Sequence, residues 1–355
     1  MILRGLSPAL CWLVLLAACQ GGGISADDDD SWGTDDDDSS AVDDDDSAEL
    51  CVPCDGDLDY GAGDDFGALL RCQSLTGDLS FRDAGATLVS LPVLSCLERV
   101  DGDLRIRGNE GLQSLAGLES LTTVGGDLNI SFNASLVDLS GLRRLQWISG
   151  GLFVSANPQL SALHLDSLAE VGADLSLTRN GSLVSLAGLD SLMSVGGDIR
   201  ISENNVLTSL SALGGLIVAP EDLSVQDNVA LTSLEGLQNL SSVGRDLDVS
   251  GNAALVDLSG LSAVARVGGD MRFMSNPLLE HLDGMEMLAE VVSTLTVSSS
   301  ESLTRVDGLL SITASLEGLR IHSNSALCQS HAEAIAEQLN VQLEVSVYDN
   351  LGGCP

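Results

Sequence analysis

Apolar positions along most of the chain fall into two alternating rhythms. Around residue 128, Leu128 and Ile130 alternate with Asn129 and Ser131, the period-two pattern of a strand that buries one face. From residue 136 the spacing changes to steps of three, through Leu136, Leu139, Leu142, Leu145 and Ile148. Steps of three also suit a short helix, but Gly141 and the β-branched ends predict short extended segments around coil corners. The pair of rhythms then repeats. The stretch VGGDLNISFNASLVDLSGL at 124–142 returns as VGRDLDVSGNAALVDLSGL at 243–261. Aligning on its Asn gives Asn109, Asn133, Asn157, Asn180, Asn204, Asn228, Asn252, Asn276 and Asn324, with Ser300 in the single gap. The step is 24 residues throughout, apart from one of 23.

A fixed period in this range is the signature of a solenoid, in which each turn buries its apolar face only against its neighbours. Equivalent strands then stack in parallel about 4.8 Å apart. The GDL marker recurs from Gly56 to the EGL at 317, which gives about twelve turns and a rod roughly 55 Å long at that spacing. The Asn column is explained by a ladder, each amide bonding the local backbone and the Asn one turn away. Asp78, Asp103, Asp127, Asp174, Asp198, Asp222, Asp246 and Asp270 form a second column, where like charges at strand spacing should repel. Backbone N–H bonds accepted in the Gly-Asp turn resolve this; calcium between the rungs is the weaker alternative, and the nonapeptide motif of calcium β-helices is absent.

The segment CQSLTGDLSF at 72–81, with the repeated VGGDLxI, Asn and spaced leucines, resembles the receptor L domain. That is the leucine-rich ligand-binding module of insulin and epidermal growth factor receptors, also found in bacterial surface proteins. The likeness covers about residues 51–355. It implies an all-β-dominated solenoid, a right-handed parallel β-helix. The chain carries about twice the turns of one such domain, with no Cys-rich module or kinase, so a signalling role is not carried over. Two abutting L-type units remain an alternative to one continuous solenoid. The resemblance also implies that Cys72 bonds Cys51 or Cys54 and that Cys96 takes the other, leaving Cys328 and Cys354 for the C-terminal end. A zinc site built from Cys51, Cys54, Cys72 and Cys96 is the rival reading of the first four.

The two ends differ from the repeat. Residues 1–19 read as a secretion signal, and LAAC at 16–19 resembles the bacterial lipobox, which makes Cys19 the expected lipid anchor. Gln20 after it favours the outer membrane or cell surface. Residues 20–50 carry three Asp tetrads among small polar residues and are expected to form an extended, disordered spacer. The solenoid with its Cys-containing N-terminal cap is assigned to 51–327. Residues 328–355 are assigned to a cap, with Ser330 and Glu333 as the capping box of a short helix, Ile335 and Leu339 on one face, and VQLEVSV as a last strand. The cap is expected to cover the open end of the core.

Composition narrows the function. Aromatics are only 3% of residues, so the core must be built from Leu, Val, Ile and Ala. The formal net charge is −37 and the chain has no Lys, which excludes nucleic acid and anionic lipid surfaces as partners of the whole protein. The four His share no motif and no phosphate loop, HExxH or GxSxG occurs, so no enzyme is expected. No cofactor is called for. The outward strand positions hold Arg82, Arg105, Arg107, Arg200, Arg272 and Arg320, with Phe132, Phe153 and Met274 on or beside them. They are expected to form a relatively basic stripe facing an anionic or carboxylate-bearing partner, an extracellular protein or glycan; the plainer reading is that they neutralise the Asp column two residues away. Two function classes follow: an anchored recognition or adhesion module, and a structural envelope or matrix component without a discrete ligand.

Overall fold

The computed structural model describes residues 51–352 and Cys354. Cys19, the signal and the Asp-rich spacer lie outside the described residues. The chain winds into a parallel β-solenoid of about twelve turns of about 24 residues, as the repeat predicts. Every turn contributes one strand, four residues long in most turns, to a 13-stranded sheet that starts at Leu58–Tyr60 and ends at Val341–Tyr348. Successive turns pair in register, for example Leu152 with Leu128 on one side and Leu175 on the other.

A second wall consists of short strands, two residues long from Arg99–Val100 onward, in two sheets, one ending at Ser194–Val195 and one starting at Val218–Ala219. The break has a covalent cause. Gly196 and Gly244 each donate their N–H to a residue one turn back, Val171 and Ala219. Between them stands Pro220, which has no N–H to donate.

Between these walls the leucine columns are fully buried: Leu128, Leu136, Leu139, Leu142 and Leu145 of one turn have no exposed surface. The expectation of wholly extended corners is corrected at four turns, where single 3-10 turns form at Ser140–Leu142, Ser211–Leu213, Ser259–Leu261 and Asp307–Ser311. Within the described residues, no helix is long and apolar enough to cross a membrane.

Two ladders run along the solenoid, one at each end of the long sheet's strands. In the first, the side-chain amide of Asn204 donates to the Leu177 carbonyl at 2.9 Å, while its Oδ1 accepts the Asn180 N–H at 3.0 Å. Equivalent bonds link the column from Asn109 to Asn276 and resume at Ser300 and Asn324, ending on Asn350. All the column's Asn from 109 to 324 are fully buried. In the second, each Asp Oδ1 accepts the N–H of its counterpart one turn later, as Asp78 does from Asp103 at 2.8 Å and Asp198 from Asp222 at 3.0 Å. The expected bond is therefore made, but between turns rather than within one. At residue 126 the site is tight enough that a Cβ would collide with the Asp103 carboxylate, whereas Glu221 and Arg245 stand at the same position in later turns with the bond intact.

Three disulfides close the ends: Cys54 with Cys72, Cys51 with Cys96, and Cys328 with Cys354. The zinc alternative is thereby overturned. At the C-terminus the helix spans Gln329–Ala336, and the capping box fails: Cys328 takes the N-cap position with no side-chain cap bond. Cys328 is pinned there by its disulfide and by its bridge to Leu351, and Glu333 instead accepts from the Gln329 amide at 2.7 Å. Ile335 and Leu339 are buried as expected, yet Leu343 and Val345 on the last strand remain 81% and 54% exposed. The cap covers the core's end only in part.

Candidate functional site

In each turn the 13-stranded sheet turns two positions outward, flanked on one side by the Asp ladder and on the other by a corner residue. The corner residues adopt positive φ, Phe132 at 57° and Glu203 at 56° among them. This left-handed column, invisible to a hydropathy reading, puts Phe132 in a conformation that its side chain disfavours, 54% exposed and under the Arg107 guanidinium at 5.3 Å from the ring centre.

The structure separates the outward arginines into two kinds. Arg105 bridges two rungs of the ladder, Asp78 at 2.5 Å and Asp103, and Arg272 does the same between Asp246 at 2.9 Å and Asp270. Arg82 pairs with Asp59, and Arg320 with Glu344 at 2.8 Å. Arg105 and Arg272 thus neutralise the Asp column, as in the plainer reading, whereas Arg82 and Arg320 pair with acids outside that column. The Asp103 N–H, seconded by Arg105, holds the Asp78 carboxyl below its ordinary range. Arg107 and Arg200 form no ion pair among the described residues. The expected basic stripe is thus corrected. Most of its positive charge is spent on adjacent carboxylates, and the unspent surface between Arg105 and Arg272 is acidic.

Arg200 occupies the same repeat position as Arg105 and Arg272, with Asp174 and Asp198 where their Asp partners stand, yet makes neither bond. A cleft of about 320 Å³ lies open there. Its floor is Ser176, Arg200, Ser224 and Asp248; Asp174, Asp198, Asp222 and Asp246 form one wall, and Phe153 and Arg272 close the two ends. Each wall Asp spends Oδ1 on the ladder, while Oδ2 of Asp174, Asp198 and Asp222 carries no hydrogen bond or ion pair among the described residues. The Ser224 hydroxyl is shielded from solvent and lacks a hydrogen-bond partner.

Phe153 sits where it does because of a glycine. At residue 151 the ladder has Gly in place of Asp, and the Phe153 ring lies over it, so that a Cβ there would be 2.5 Å from the ring Cε2. The ladder skips this rung: Asp127 Oδ1 accepts the Gly151 N–H at 2.7 Å, and the next carboxylate is Asp174. The sequence carried this signal as GGLF at 150–153, the one early repeat without its Asp.

Of the expected face residues, Phe153, Arg200 and Arg272 come together in the cleft. Arg107 and Phe132 form a separate pair at the opposite edge, and Arg105 and Arg320 lie outside it. Among the described residues no three His, Cys, Asp or Glu side chains converge as metal ligands.

No curated protein matches the chain. Residues 95–208, which include Arg105, Arg107, Phe132, Phe153 and Arg200, match the family model of the Receptor L domain, and the parallel solenoid they build accords with that family's repeat.

Proposed function

We propose that the protein is a recognition module, not a catalyst, that binds its ligand in the cleft between Phe153 and Arg272 and is displayed on the outside of a bacterial cell. The observation that carries the reading is Arg200. Its repeat equivalents Arg105 and Arg272 are locked between carboxylates and Arg320 pairs with Glu344, whereas Arg200 forms no ion pair among the described residues, in a concave, solvent-open surface that the Phe153 ring closes at one end. An unpaired guanidinium and an aromatic on a rigid sheet are the anchors around which interfaces concentrate their binding energy. The match of residues 95–208 to the Receptor L domain agrees with a ligand-binding surface. The lipobox-like LAAC with Cys19 and the Asp-rich 20–50 segment support a lipid-tethered module held away from its membrane on a spacer.

The display is tested by protease shaving of intact cells: release of the solenoid by cleavage near the spacer supports it, and full protection in the membrane fraction overturns it. The cleft is tested by Phe153→Ala with Arg200→Ala. Adhesion or ligand capture should be lost while the circular dichroism spectrum is unchanged; retention of both overturns the reading.

A further inference from the structure

Resting on that cleft as the binding site, we infer that its ligand is an extended, uncharged glycan lying along the solenoid axis, across the strands, with successive sugar units seated on successive turns.

Shape comes first. The cleft crosses six stacked strands, from the rung of Phe153 through Ser176, Arg200, Ser224 and Asp248 to Arg272, a run of about 24 Å at strand spacing. One turn advances by nearly the length of one linked pyranose. The chemistry offered therefore repeats in step with a sugar chain. An extended peptide, whose residues advance about 3.3 Å each, would meet equivalent groups only at every third residue, on alternate turns.

Chemistry comes second. Three successive turns of the wall, at Asp174, Asp198 and Asp222, each present one carboxylate oxygen that the ladder leaves free, and a carboxylate accepts short, strong bonds from hydroxyls. Arg200 supplies up to five donors to ring and hydroxyl oxygens. The Ser224 hydroxyl lacks the partner that a buried polar group normally has, and a small side-chain rotation toward the cleft would let a sugar hydroxyl both donate to it and accept from it. Phe153 gives an apolar ring at one end against which the C–H face of a sugar can pack. The floor between these groups is small and polar, unlike the apolar pocket that would seat a hydrophobic side chain.

Charge comes third, and it selects within glycans. The lining holds five carboxylates, Asp174, Asp198, Asp222, Asp246 and Asp248, against two guanidiniums, in a chain of net charge −37. Uronates, sulfated sugars and phosphorylated sugars are repelled by such a surface before contact. The sugar must be neutral.

The experiment uses the full chain on an array of neutral and acidic oligosaccharides, followed by titration calorimetry with the linear hexasaccharide that binds and with its trisaccharide. At least one neutral linear glycan should bind, the trisaccharide at least tenfold more weakly and acidic analogues not at all. Phe153→Ala, Arg200→Ala and Ser224→Ala should each weaken the hexasaccharide at least fivefold without altering the thermal midpoint by more than a few degrees. Failure of every neutral glycan to bind overturns the inference, as does binding indifferent to the three substitutions. If instead a basic peptide or a protein is captured and Phe153→Ala abolishes that capture, the cleft stands as the site and the glycan is wrong. If captured ligands of every kind ignore all three substitutions, the cleft itself is wrong.

Discussion

The ring of Phe153 rests on the backbone of Gly151, in the space that a ladder carboxylate takes in neighbouring turns. Two local features, an aromatic at the outward position and the loss of one Asp, are therefore a single feature. The fold gave up one rung of its carboxylate ladder to seat an exposed ring, which is the kind of local inconsistency expected at a functional site.

The pairing predicts non-additive substitutions. Gly151→Asp should push the ring out of place and cost about 1–3 kcal/mol through overpacking. Adding Phe153→Ser removes the obstacle and lets the new carboxylate accept the Asp174 N–H, so the double variant should regain most of that loss. Urea unfolding of the two singles and the double closes the cycle; strict additivity would show that ring and glycine are independent.

The buried Asn ladder predicts an asymmetric pair of effects. Asn204→Ala strands the Leu177 carbonyl and the Asn180 N–H, two buried groups worth about 1–3 kcal/mol each when unpaired. Ser300→Asn does the reverse. Ser300 is too short to reach the Asn276 N–H, which has no acceptor among the described residues, and an Asn there would restore the rung. A gain of about 1 kcal/mol is expected, read as a raised thermal midpoint.

Much of the solenoid was legible because its information repeats. The leucines, the Asn column and the Asp column each recur at one period, so a single turn read correctly gives the rest. What escaped the reading were contacts made between turns by residues that occur once. Phe153 over Gly151, Pro220 interrupting the second wall, and Asn350 closing the ladder belong to no column. The arginines escaped for another reason. Arg105, Arg200 and Arg272 are equivalent in sequence, and the difference between two clamped side chains and a free one is decided by rotamer choice among carboxylates that period and hydropathy cannot rank.

Asp78 of the carboxylate ladder makes stability pH-dependent in a defined direction. Hydrogen bonds from the next turn, foremost the Asp103 N–H, hold Asp78 below its unfolded value of about 3.9. A depressed carboxyl contributes stability that is fully present above that unfolded value and lost as pH falls through the folded one. From neutral pH down to about 4, protonation of exposed acids relieves the repulsion of a chain with net charge −37, so the thermal midpoint should hold or rise. Below about 4 it should fall as Asp78 protonates. Asp78→Asn should shrink that acid-limb slope; an unchanged slope would remove Asp78 from the account.

The N-terminal disulfides should act locally, because each turn of a solenoid contacts only its neighbours. Cys51–Cys96 closes 45 residues and Cys54–Cys72 closes 18, which in the chain-entropy account are worth about 4 and 3 kcal/mol. The longer link spans the turn in which Leu75 and Leu79 are buried, so its loss frees a whole unit of core rather than a loose end. Paired substitution of Cys51 and Cys96 by Ser should open cleavage sites within residues 51–96 at protease concentrations that leave the turns beyond Leu128 intact. Hydrogen exchange read turn by turn should show protection falling at this end and recovering toward Asn204. A uniform loss of protection along the whole rod would mean that the turns unfold as one cooperative body, and that the N-terminal staple stabilises all of them together.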